Sequence, residues 1–168
     1  MGARQPEPVA RWAAGEGYQA RLAMPQAVLG VQCTTEVVTG LVFLAPDTPL
    51  LAPQNALAAE VARQLAAYLA DPRHVFDLPL HYAATPHQAK VWQALQAIPC
   101  GQVRTYGDLA RELHSAAQAV GQACGANPLP LVIPCHRVVS RSGLGGFMQQ
   151  RSAPTLDIKR WLLAHEQR

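Results

Sequence analysis

The chain predicts an α+β protein, with strands grouped early and helices after them. Three observations carry this. Residues 18–44 hold three β-rich runs separated by turn residues. Residues 55–70 change to helical spacing. From Thr85 onward, short helical patterns alternate with Pro- and Gly-containing breaks.

The strands come first. Tyr18 to Ala23, Ala27 to Cys33 and Val37 to Leu44 are rich in β-branched and apolar residues. Met24-Pro25 and Thr34-Thr35-Glu36 break them, so an antiparallel meander is expected. Leu57, Val61, Leu65 and Leu69 then recur every four residues, which predicts an amphipathic helix over 55–70. Asp71-Pro72 ends it. Residues 71–85 read as a linker with a short extended piece at Phe76 to Leu80, and a boundary between subdomains falls near residue 84.

The second half opens on Thr85-Pro86, an N-cap followed by Pro at the first helical position. Val91, Leu95 and Ile98 form the apolar stripe, and Pro99-Cys100-Gly101 stops it. Thr105 caps a helix from Tyr106 to Leu113. Ser115 caps another from Ala116 to about Gly125. Two short helices joined by a tight turn suggest a helix-turn-helix. The second is built almost wholly of small residues, which suits close approach to another surface or tight packing in a core. Asn127-Pro128-Leu129-Pro130 is a rigid connector, since each proline fixes φ. Gly143, Gly145 and Gly146 mark a loop. A final helix runs from Leu156 to His165, with Ile158, Trp161, Leu162 and His165 on nearby faces.

Composition narrows the class. At 49% hydrophobic and 15% charged residues, the chain can build a core and is too apolar for disorder. It has no apolar run of about 18 residues, so no membrane span is expected. Nor does an apolar segment follow Met1 to Pro8, so no signal peptide is expected. Four cysteines without CxxC spacing argue against a disulfide framework or a structural zinc, and fit reduced thiols in the cytoplasm. Charge is asymmetric. Residues 1–82 carry five Lys/Arg and seven Asp/Glu, whereas residues 83–168 carry nine and four. A polyanionic partner for the second half, or chance, accounts for this.

The unusual chemistry lies in Leu131-Val132-Ile133-Pro134-Cys135-His136-Arg137-Val138-Val139. The apolar lead-in reads as a buried strand. A cysteine attacks as thiolate, and a neighbouring cation or histidine lowers its pKa. Adjacent residues of a strand face opposite ways, so a turn or a bridging water is needed to couple Cys135 to His136. An inert buried cysteine beside a histidine that satisfies a carbonyl is the competing reading.

Pro134-Cys135-His136-Arg137-Val138 resembles the active-site signature of the O6-alkylguanine-DNA alkyltransferases, the methylated-DNA–protein-cysteine methyltransferase family. Val91-Trp92-Gln93-Ala94-Leu95, Ile98-Pro99-Cys100-Gly101-Gln102-Val103, Tyr106-Gly107-Asp108-Leu109-Ala110, Ala119-Val120-Gly121, Asn127-Pro128 and Trp161-Leu162-Leu163-Ala164-His165-Glu166 match family blocks in order. The likeness covers residues 85–168 by motif. It covers residues 1–84 by layout alone.

The resemblance implies a small ribonuclease H-like N-terminal subdomain (1–84) and a helical C-terminal alkyltransferase domain with a helix-turn-helix (85–168). It implies direct, single-turnover transfer of an alkyl group from guanine O6, with thymine O4 a further candidate, to Cys135. The partner is double-stranded DNA with the alkylated base flipped out of the stack. No metal or organic cofactor is implied, and the protein acts as a monomer away from membranes. By the same resemblance Cys135 is the nucleophile and His136 the base acting through a water. Glu166 orients the imidazole, Asn127 braces the turn, and Tyr106 crowds the flipped nucleotide's phosphate and donates a proton to the leaving guanine. Ala117, Gln118, Ala119 and Gly121, with Tyr106 and Arg137, fall at the DNA surface, the helix lying in the minor groove. Arg137 also ties the cysteine turn to its surroundings. Pro134, Gly146, Phe147 and Met148 form the substrate pocket.

Four positions depart from the family pattern. Gln118 stands where an arginine finger usually fills the gap left by the flipped base. His87 stands where phenylalanine is usual. The loop Leu144-Gly145-Gly146-Phe147-Met148-Gln149-Gln150 replaces a segment ending in Gly-Tyr, and Arg151 to Asp157 reads as an insertion before the last helix. His74, His81 and His114 form no constellation and read as surface or packing residues. Two alternatives compete with alkyl transfer: a non-repairing, alkyltransferase-like lesion sensor, and a helix-turn-helix regulator with an inert cysteine.

Overall fold

A three-stranded antiparallel meander begins the part of the chain that the computed structural model describes, residues 17–148 and 153–168. The chain divides into two compact units, Met1–Tyr82 and Ala83–Arg168. In the first, β1 (Ala20–Met24), β2 (Ala27–Cys33) and β3 (Val38–Leu44) pair in that order. Met24 pairs with Ala27, leaving Pro25 and Gln26 as the hairpin loop. Pro25 suits the first loop position, and Gln26 takes the φ of 71° that the second position of a type II turn requires. Thr34 turns the chain into β3, its hydroxyl accepting the Glu36 and Val37 amides at 3.1 and 3.0 Å. At Gly30 a Cβ would lie 2.6 Å from the Tyr18 ring, so glycine lets that ring lie on β2.

Helix α1 (Ala56–Ala70) is capped by Asn55, whose side chain accepts the Ala58 amide at 2.8 Å. Its buried face is Ala58, Val61, Leu65 and Tyr68. This face is rotated from the expected stripe, because Leu57 and Leu69 are only half-buried. Gln64 shares the buried face and pairs with the main chain of Asp77 twice, at 2.7 and 2.8 Å. That amide pair holds the 71–82 segment in place of a sheet ladder. The expected extended piece at 76–80 is reduced to one bridge, Val38 to Leu80.

The second unit starts with α2 (Pro86–Gln96). Thr85 and Gln88 form a capping box at its start. Val91, Trp92 and Leu95 are buried, and the Trp92 indole donates to the Ala123 carbonyl at 2.8 Å. Helix α3 (Tyr106–Glu112) is capped by Thr105 and packs against α4 (Ala117–Gly125). Ser115 does not cap α4. The cap position is Ala116, whose methyl group cannot accept a bond, and the Ser115 hydroxyl is engaged with His87 Nε2 at 2.9 Å. His87 therefore ties the start of α2 to the α3–α4 turn. Strands β4 (Arg104–Thr105) and β5 (Val138–Val139) pair in parallel. Helix α5 (Ala153–His165) starts earlier than expected. Ala153 to Asp157, expected ahead of the helix, belong to it. Arg151 and Ser152 lie outside the described residues, as do Gln149 and Gln150.

Candidate active site

The apolar run ahead of Cys135 is a buried turn and not the expected strand. Asn127 folds it. Its amide donates to the Ile133 carbonyl at 2.8 Å and its carbonyl accepts the Leu129 amide at 2.9 Å. Leu131 takes a φ of 75° inside the turn. Cys135, His136 and Arg137 then form one 3₁₀ turn that packs against α2 and α5. Successive side chains of a 3₁₀ turn diverge by about 120°, which separates three neighbours into three surroundings. Cys135 lines a cavity, His136 enters the core, and Arg137 turns to Glu166.

His136 and Glu166 are each buried, and His136 Nε2 lies 2.8 Å from Glu166 Oε2. A carboxylate only accepts, so Nε2 carries the hydrogen of the neutral ring. That leaves the lone pair on Nδ1, which is buried and has no hydrogen-bond partner among the described residues. Burial lowers the His136 pKa, against the opposing pull of Glu166, and so favours the neutral ring. Burial works to raise the Glu166 pKa, but the bonds from His136 and Arg137 outweigh it and hold the carboxyl at about 2. Arg137 donates to both Glu166 oxygens and, through Nη1, to the Ile98 carbonyl at 2.7 Å. Arg137 was expected both to meet DNA and to tie the cysteine turn to its surroundings; its guanidinium is 13% exposed and bonded to Glu166 and to the Ile98 carbonyl.

The cavity measures about 840 Å³. Ala117, Gln118, Gly121, Gln122, Cys124 and Gly125 of α4 form one wall, with Tyr106, Cys135, Gly146, Phe147 and Met148 around the rest. Small side chains on α4 thus open the space, while Val120, Ala123 and Cys124 also pack into the core. Cys135 is 3% exposed. Burial pushes its thiol up to about 11, opposed by a bond from the Asn127 side chain and by the charge of Lys159. Tyr106 donates to the Gly146 carbonyl at 3.4 Å. Gly145 has a φ of 74°, and a Cβ there would lie 2.9 Å from the Tyr106 ring.

Most of the expected site residues line the cavity, and His136, Glu166 and Asn127 are buried outside that lining. Pro134 and Ala119 do not line the cavity: Pro134 is buried and Ala119 half-buried. Sequence reasoning missed Cys124 and Lys159. Lys159 is fully buried, and its ammonium donates to the Val138 and Gly146 carbonyls at 2.7 and 2.8 Å. Burial lowers its pKa to about 8. The signal was its register. Lys159 follows Thr155 by four residues and precedes Leu162 by three, which puts it on the buried face of α5.

Known proteins resemble this chain in sequence and in fold. Residues 86–168 match the sequence model described as 6-O-methylguanine DNA methyltransferase, DNA binding domain. The methylated-DNA–protein-cysteine methyltransferase of Salmonella typhimurium is 50% identical over 107 residues, 61% of this chain and 60% of that protein. The match thus spans less than two thirds of that relative's length. Among solved structures, the crystal structure of Mycobacterium tuberculosis O6-methylguanine methyltransferase superposes with a TM-score of 0.73 at 31% identity, covering 89% of this chain and 92% of that one. Its complex with DNA gives 0.72 at 32% identity, covering 88% and 91%. No described helix is long and apolar enough to cross a membrane. With its Cys-His-Glu arrangement beside a cavity walled by a thin helix, and with these relatives, the chain belongs to the 6-O-methylguanine DNA methyltransferase family.

Proposed function

We propose that this protein repairs DNA by taking an alkyl group from guanine O6 onto Cys135, one molecule per lesion. The observation that carries the reading is Cys135 in the cavity wall, followed in the same turn by His136, whose buried imidazole pairs with Glu166. The thiol is protonated at neutral pH, so it needs a base. Neutral His136 offers its Nδ1 lone pair through a bridging water, and ionised Glu166 stabilises the imidazolium that forms. The sulfur then bonds the alkyl carbon as the carbon–O6 bond breaks. The electron pair stays with guanine, which takes a proton from Tyr106. The thioether is stable, so the protein does not turn over. Thymine O4 lesions present the same bond to the same thiol.

The finer assignments belong to this proposal. The meander followed by α1 supports a ribonuclease H-like first unit, and α3 with α4 supports a helix-turn-helix. In it α4 enters the minor groove, Gln118, exposed at its start, reaches into the stack, and the lesion is flipped into the cavity. Four free cysteines support the cytoplasm as its compartment.

Intact-protein mass spectrometry after incubation with duplex DNA carrying O6-methylguanine tests the reading. One methyl group on Cys135 is expected, and none on Cys135→Ser. Tight lesion binding without an adduct would establish a sensor instead, and sequence-selective binding of undamaged DNA a regulator.

A further inference from the structure

Met148 stands over the nucleophile. Its thioether sulfur lies 3.8 Å from Cys135 Sγ, the two are 7% and 3% exposed, and both line the same cavity. Two features hold it there. The chain is pinned two residues earlier, where the Gly146 carbonyl accepts from Lys159 at 2.8 Å and from Tyr106 at 3.4 Å. Met148 itself takes a φ of 51°, a left-handed conformation that a non-glycine residue adopts only when its surroundings impose it. The cavity as a whole is roomy, so its volume does not limit what enters. The tight point is the few ångströms in front of the sulfur, which the alkyl carbon of a substrate has to reach.

We infer that Met148 is a size-selecting residue at the nucleophile, admitting methyl and other small alkyl groups and slowing bulky ones such as benzyl. The inference rests on the alkyl-transfer reading and adds the substrate class. A methionine is unbranched with several rotatable bonds, so it withdraws far enough for a methyl group at small cost. A benzyl group needs the whole side chain moved from a cavity wall that Phe147 shares. The same contact covers the thiol in the protein without DNA.

The test compares the wild type with Met148→Ala and Met148→Leu, the first removing the bulk and the second keeping it without sulfur. Rates of Cys135 modification are measured by mass spectrometry with O6-methylguanine and O6-benzylguanine DNA, and separately with iodoacetamide in the absence of DNA. The benzyl-to-methyl rate ratio is expected to rise about ten-fold or more in Met148→Ala. It stays near the wild-type value in Met148→Leu. Iodoacetamide labelling of Cys135 accelerates in Met148→Ala alone. Unchanged ratio and unchanged labelling in a folded Met148→Ala protein would overturn the inference. The labelling arm needs no transfer activity. A wild type that takes no alkyl group from DNA therefore defeats the functional reading without touching the gate.

Discussion

Arg137 binds Glu166 through two donors, Nε to Oε1 at 2.9 Å and Nη2 to Oε2 at 3.0 Å, and Oε2 also faces His136. One buried carboxylate thus serves an anchor and the proposed base together. The arginine keeps it ionised and fixed in direction. Glu166→Gln removes that charge and leaves Arg137 without its counter-ion. Alkyl transfer is expected to slow about ten- to hundred-fold, with DNA affinity retained, by single-turnover kinetics and gel-shift titration.

The same carboxylate sets a pH dependence of stability. Its folded pKa of about 2 lies below the ordinary 4.5, so its contribution is present above pH 4.5 and is lost as pH falls toward 2. Thermal melts of wild type and Glu166→Gln are expected to differ most above pH 5 and to converge only as pH falls through about 2. A constant difference across this range would place the stabilisation elsewhere.

Lys159 is a buried cation joined to two carbonyls, one of them in the pocket loop. Its charge also favours the Cys135 thiolate. Lys159→Met keeps length and flexibility but loses the donors and the charge. Iodoacetamide labelling of Cys135 is expected to slow at a given pH, its profile moving to higher pH, while transfer falls by about ten-fold. An unchanged profile would leave Lys159 a purely structural residue.

Gly145→Ala puts a Cβ 2.9 Å from the Tyr106 ring at a φ of 74°. A destabilisation of about 1–2 kcal/mol is expected. For a chain of this size that lowers Tm by roughly 2–8 °C. Transfer slows as well, because Tyr106 and the Gly146 carbonyl are displaced together.

Gln118→Arg supplies the guanidinium that the chain lacks at the exposed start of α4. Faster transfer from duplex DNA is expected, with no change for the free base O6-methylguanine, which needs no flipping. An equal or slower duplex rate would show that base flipping proceeds by another route.

By itself the sequence determined the meander, the Thr85 and Thr105 caps and the cysteine motif. Each of these rests on local rules of strand composition, capping chemistry and residue order. It also named Cys135, His136, Glu166 and Asn127 as one group by resemblance. The tertiary structure decided the rest. Ser115 looked like a cap, but His87, 28 residues away, claims its hydroxyl. Arg137 was expected at DNA and as a tie for the cysteine turn, and the fold shows which groups it ties: Glu166 and the Ile98 carbonyl. Leu131 to Ile133 looked like a strand because burial and β-branching are common to strands and buried turns, and the Asn127 bonds decide between them. Lys159 carried no motif, and Met148 was placed in the pocket by resemblance without its contact to the thiol. Their parts arise from contacts across 13 to 21 residues, where packing brings an ammonium beneath the pocket loop and a thioether against the thiol.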